Sequence, residues 1–134
     1  MNRQQLSERH QGQKKQPKKK ELTFISVDQA KFKEVLEGVS MAMLQGNDET
    51  GPYAALTRFV PGFDAGMHTH TNDISIVVVK GAYLYRDGKG EKRIGPGDFL
   101  LIPGGTKHSS GGDAKEGALF YNESDGGFDL IPVM

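Results

Sequence analysis

Residues 66–81 read "GMHTHTNDISIVVVKG", and how this stretch is read decides the fold. Its first half sets His68 and His70 one residue apart, and its second half, 74–79, is a short apolar run closed by Gly81. On an extended chain residues two apart leave the same face, so the two imidazoles share one face of a strand. The run behind them is far too short to cross a bilayer and has the length of a buried strand.

The punctuation of the rest of the chain agrees. From Glu21 onward 17 of the 18 glycines and five of the six prolines fall in short clusters between apolar runs, the spacing of an all-β domain. Strands are expected over 23–27, 39–44, 53–60, 66–70, 74–79, 82–86, 92–94, 99–102 and 118–122. Only 26–38, "SVDQAKFKEVLEG", carries a helical turn. The segment "YLYRDGKGEKRI" (83–94) alternates around a Gly-rich hairpin turn at 87–90. Others, "SIVVV" and "FLLIP", are apolar on both faces, which predicts two sheets packed on each other as in a sandwich or jelly roll.

The chain of 134 residues has room for one domain and one modest core. It has no cysteine, so disulfides and thiolate metal or redox sites are excluded, and any transition-metal site must be built from His, Asp or Glu. A net charge of zero hides a division: residues 1–20 hold seven Lys or Arg against one Glu, leaving ten basic and sixteen acidic residues in the remainder. The tail, "MNRQQLSERHQGQKKQPKKK", has almost nothing apolar to bury and is expected to be disordered, with the folded domain over 21–134. It lacks interleaved aromatics and precedes an acidic body, so it reads as a solubilising arm or the remnant of a processed leader. Neither a nucleic-acid nor a membrane partner is expected. The chain reads as soluble, whether cytoplasmic or exported to the periplasm after leader removal.

A third histidine arrives in "GDFLLIPGGTKHSS" (97–110), where an apolar strand runs into Pro103, Gly104 and Gly105 before His108. Glycines there allow a tight turn and a close backbone approach. Three imidazoles from separate strands suit a borderline divalent ion, Zn, Fe, Ni, Cu or Mn, and leave coordination positions open. Other chemistries lack their signatures: no Gly-x-Ser-x-Gly elbow, no P-loop and no dinucleotide fingerprint is present.

The pattern resembles the cupin superfamily. Its first motif, Gly-x5-His-x-His-x3,4-Glu-x6-Gly, is met by Gly62, His68, His70 and Gly81. Its second, Gly-x5-Pro-x-Gly-x2-His-x3-Asn, is met by Gly97, Pro103, Gly105 and His108, with Gly112 at the asparagine position. The flanking text looks like the small cupins akin to the cupin domain of the anti-sigma factor ChrR. The resemblance implies a single jelly-roll barrel (a double-stranded β-helix) of two facing sheets, a divalent metal held by His68, His70 and His108 inside one mouth, and commonly a homodimer. One departure stands out, because the two spacings allowed for the glutamate ligand land on Ile74 and Ser75. Asp73 is adjacent, yet "TND" reads as a turn.

Two functions follow from different classes. One is a small metal-dependent enzyme, a dioxygenase-like oxidoreductase before an isomerase or hydrolase, acting on a small oxygenated or anionic compound; a site without a carboxylate ligand keeps its full positive charge and should favour anions. The other is a module that captures a metal or small-molecule ligand without turnover. Met41, Met43 and Met67, the tyrosines 53, 83, 85 and 121, and Thr106 with Lys107 are further candidates for the pocket, although methionines in strands are more often core filler, tyrosine is a common strand residue and a lysine in a Gly-rich loop is usually solvated.

Overall fold

The computed structural model describes residues 20–133. Apart from Lys20, the segment read as a disordered tail lies outside the described residues. A 3-10 helix, Val27–Gln29, precedes eleven strands: β1 (Lys33–Leu36), β2 (Val39–Gly46), β3 (Tyr53–Phe59), β4 (Asp64–Thr69), β5 (Ile74–Gly81), β6 (Tyr83–Asp87), β7 (Gly90–Ile94), β8 (Phe99–Ile102), β9 (His108–Gly112), β10 (Ala118–Ser124) and β11 (Ile131–Pro132). They form two antiparallel sheets, a six-stranded one in the order β1-β2-β3-β10-β5-β8 and a five-stranded one in the order β11-β4-β9-β6-β7. The all-β jelly-roll expectation is met.

The core lies between the sheets. Inward residues of β5 (Ile74, Ile76, Val78) and β10 (Ala118, Phe120) meet Tyr83, Tyr85 and Ile94 from the other sheet. Phe59 anchors an aromatic group, with ring centroids 4.7 Å from Phe63 and 5.0 Å from Phe120. Offset and edge-on contacts of this kind add to the area they bury. The runs read as apolar on both faces turn out to have one buried and one open face. Val79, Phe99 and Leu101 point outward and are 50, 64 and 47% exposed.

Two segments depart from expectation. Residues 23–27 form no strand; they run as coil into the 3-10 helix, and Leu22 and Phe24 stay exposed. The helical turn expected within 26–38 is met by the 3-10 helix, but the same segment also holds the first strand, β1, where Glu34 pairs with Ser40 of β2. A strand is decided by an available partner more than by its residues. The same rule explains β9, "HSSGG", which has weak strand propensity but is paired by β4 on one side and β6 on the other.

Candidate metal centre

The local sequence brings the three histidines together by register and by a close approach of two loops. His68 on β4 lies directly opposite His108 on β9. His70 follows just past the end of β4. Its carbonyl accepts the Gly105 N–H at 2.8 Å, while the Gly104 N–H donates to Asp73 Oδ1 at 2.8 Å. A Cβ at Gly104 would stand 2.2 Å from the Thr71 carbonyl oxygen, so glycine is what lets the 103–107 loop press against the loop after β4. Gly105, at φ +82°, then turns the chain toward His108. Asp73 is committed to this loop contact and stands outside the histidine cluster.

All three rings are buried, and their candidate donor atoms lie within 4.8 Å of one another. Each Nδ1 meets a main-chain carbonyl: His68 that of Gly66 at 2.7 Å, His70 that of Asp129 at 2.5 Å, His108 that of Thr106 at 2.8 Å. A carbonyl can only accept, so every Nδ1 carries its proton, and a neutral ring then presents its lone pair at Nε2. His68 Nε2 and His70 Nε2 are 3.1 Å apart, and His108 Nε2 is buried with no hydrogen-bond partner. Three inward lone pairs, two of them in contact, form an arrangement that a cation relieves. Tetrahedral zinc–nitrogen bonds of about 2.0–2.1 Å put donor atoms about 3.3 Å apart, close to the 3.1 Å between His68 Nε2 and His70 Nε2. Burial pulls the His70 imidazole down to about 4 and lowers that of His108 as well, so both are neutral, the state a metal needs.

Behind the histidines lies a cavity of about 60 Å³. Met41, Phe59, Phe63, Phe120 and Phe128 contribute to its wall. Ile74 also lines it, while Ser75 is half-buried and does not. Of the two positions where the cupin motif allows a glutamate, Ile74 therefore faces the site, and it presents a hydrocarbon side chain. Met43 and Met67 are 38% exposed, and Lys107 is exposed and does not line the cavity. Of the tyrosines only Tyr83 lines it, its hydroxyl engaged with Ser110; Tyr85 stacks on the His108 ring, centroids 5.6 Å apart, and Tyr121 lies on the outer face.

Two features escaped the sequence reading. Asn122 on β10 and Thr57 on β3 line the cavity, the threonine hydroxyl donating to Asn122 Oδ1 at 2.6 Å. The segment 126–133 straps the mouth. Gly127 O accepts from Asn72 Nδ2 at 3.0 Å, the Phe128 N–H donates to Asp48 O at 2.6 Å, and the Asp129 carboxylate accepts from the Thr71 N–H at 2.8 Å and from its hydroxyl. Phe128 and Leu130 thereby wall the cavity, and the Asp129 carbonyl fixes His70. The alternating apolar text "FDLIP" (128–132) was the available signal for the strap; no sequence signal singled out Thr57 or Asn122.

Comparison with known proteins adds the following. A family model described as "ChrR Cupin-like domain" matches residues 20–126, and the strap follows the matched region. No curated protein sequence matches the chain. The polyketide cyclase RemF from Streptomyces resistomycificus superposes with a TM-score of 0.71 at 15% identity, over 85% of this chain and 87% of that one. SigE in complex with the anti-sigma ChrR from Rhodobacter sphaeroides superposes at 0.61 and 19% identity, over 75% and 51%. A salicylate 1,2-dioxygenase variant from Pseudoaminobacter salicylatoxidans in complex with gentisate superposes at 0.57 and 14% identity, over 68% and 26%. At these identities the likeness is one of fold.

Proposed function

Because the chain belongs to the ChrR-like cupin family, we propose that it holds one divalent transition metal on His68, His70 and His108 and uses it on a small oxygen-bearing compound in the barrel. The observation that carries this is the trio of buried Nε2 lone pairs, each ring fixed through its Nδ1 by a backbone carbonyl. Such outer partners set the tautomer and hold the ring in place. When bound, the ion would supply Lewis-acid polarisation or, if iron, reactivity toward dioxygen. The chain's own residues do the rest: Ile74, Phe120 and Phe128 exclude water, and the strap holds His70.

Within this reading a dioxygenase-like oxidoreductase is favoured over a hydrolase or isomerase. Apart from the histidines, no Asp, Glu or Lys lines the cavity, and the one tyrosine that does, Tyr83, has its hydroxyl engaged with Ser110, so the wall offers no free carboxylate or amine for proton transfer. The same observation supports the second reading, a non-catalytic metal- or ligand-sensing module. Fold alone does not choose between them. For assembly we infer a homodimer formed across the open apolar face at β8, an edge strand with Phe99 and Leu101 exposed.

The test is metal analysis of protein purified without a histidine tag, beside His68→Ala and His108→Ala. Close to one equivalent in the wild type and under a tenth in the variants is expected. Equal metal in all three overturns the proposal. Oxygen uptake by the iron-loaded form with catechol-like or dicarbonyl compounds then separates the enzyme from the sensor.

A further inference from the structure

We infer that the strap, over residues 125–130, is the gate of the cavity and, through Asp129, the latch on His70, so that ligand entry and metal release share one opening. The inference rests on the metal reading above and adds its control. Its first support is how the strap is held. β10 ends at Ser124 and β11 begins at Ile131, and between them no residue joins a β-ladder. This piece is fastened at three separate points: the Phe128 N–H on Asp48 O, Gly127 O on the Asn72 amide, and the Asp129 carboxylate on Thr71. It sits close, since a Cβ at Gly126 would stand 2.3 Å from Asn72 Nδ2. Beyond it β11 pairs with β4 through Ile131 and Pro132 alone, and a proline has no N–H to give. A surface segment held by a few separate bonds opens at a lower cost than the sheets behind it.

The second support is what those points are fastened to. Thr71 and Asn72 directly follow His70 in the chain, and the Asp129 carbonyl accepts the His70 Nδ1 proton at 2.5 Å. The Phe128 ring packs on the His70 ring, centroids 5.3 Å apart, while Phe128 and Leu130 wall the cavity. Lifting the strap therefore removes a wall and the acceptor that orients His70 in one movement. His68 and His108 differ. Their Nδ1 atoms donate to Gly66 and Thr106, each two residues back in the same segment, so those rings keep their partners when the strap moves. One metal ligand of three is thus set by the gate. Loss of such an outer partner typically weakens metal binding about 10–100-fold. By linkage, a metal that draws His70 into place favours the closed strap by the same factor.

Cobalt-loaded protein tests this, with azide as the probe, because azide binding to the ion changes the visible absorption. Stopped-flow mixing gives the rate at which azide reaches the metal, and transfer to EDTA gives the rate at which cobalt leaves. Asp129→Ala removes the carboxylate and keeps the backbone carbonyl; it should speed both by about tenfold. Asn72→Ala, which frees Gly127 O, should speed both by a smaller factor, and it carries the test if Asp129→Ala does not fold. In the wild type, zinc should slow hydrogen exchange of the Phe128 amide by at least about tenfold. Faster cobalt loss with azide entering at the wild-type rate overturns the gate, and the reverse overturns the coupling. Wild-type rates in the folded variants, or exchange at Phe128 indifferent to zinc, overturn the inference and leave the metal site standing. Failure to take up cobalt at all overturns the metal reading, and this inference with it.

Discussion

The two sheets of this barrel face one cavity and divide its work. The five-stranded sheet brings His68 and His108 into register on adjacent strands, with His70 just beyond, so the polar chemistry gathers on one side. The six-stranded sheet supplies Ile74, Ile76 and Phe120, with Asn122 and Thr57 as its polar exception. Its outer face is unusual in the opposite sense, leaving Val79, Phe99 and Leu101 open. The contrast teaches that a metal site needs only a few well-held groups on one wall; the opposite wall is free to shape what binds, and its back to meet another surface.

The sharpest way to break the division is to remove a ligand from the five-stranded side. A metal that binds only the folded state, present at a thousand times its dissociation constant, stabilises it by ~4 kcal/mol, or roughly 10–20 °C for a body of this size. Scanning calorimetry with and without zinc should show that gain in the wild type and lose it in His108→Ala. An equal gain in both would mean that the stabilising zinc sits elsewhere.

Next in size is a change that makes the six-stranded wall resemble the other. Ile74→Glu places a carboxylate at one of the two positions where the cupin motif allows a glutamate. Without metal it would be an uncompensated buried charge, costing about 3 kcal/mol or more. With metal it adds a ligand, so competition with a chelator should show zinc held at least about tenfold more tightly. A variant that loses stability and gains no affinity would show that position 74 does not reach the ion.

How much of this was legible in the sequence follows the same line. His68 and His70 announced themselves by spacing, and His108 by the Pro-x-Gly loop ahead of it, because local backbone geometry sets those relations. Asn122 and Thr57 are sixty-five positions apart and meet only because β10 pairs with β3, a long-range event that no local pattern encodes. The same limit placed a strand at 23–27: Thr23, Phe24 and Ile25 favour strands, yet no neighbouring strand pairs with them. It also hid β9, a strand by virtue of its neighbours. The role of 126–133 was the nearest miss, since Phe128 and Leu130 alternate, and only their contact with the His70 loop makes them a wall.

A smaller effect is expected from pH in the metal-free protein. Burial depresses the imidazoles of His70, to about 4, and His108, whereas an unfolded histidine titrates near 6.5. Between those values the unfolded chain binds more protons than the folded one, so stability falls as pH falls. Above about 6.5 the contribution is complete, and below about 4 its loss levels off for His70. Urea midpoints across that range should drop in the apoprotein. The drop should shrink in His70→Gln, and an unchanged slope would show that this imidazole is not held neutral by the fold.

The smallest effect on stability, and the one that separates the two faces of the six-stranded sheet, is expected from Phe99→Ser combined with Leu101→Ser. Substitutions on an open surface usually change folding stability by no more than about 0.5 kcal/mol each, because the side chains are as wet in the native state as in the unfolded one. If two copies pair there, these residues leave water on association and their removal weakens the pair, since apolar burial contributes in proportion to area. Sedimentation across a dilution series should therefore show a wild-type dimer and a monomeric variant, with matching urea midpoints measured where both are monomeric. A variant that remains a dimer would assign the interface to another face. One that loses several kcal/mol as a monomer would show that the outward side chains support the β5–β8 pairing itself, and the distinction between inner and outer faces would have to be redrawn.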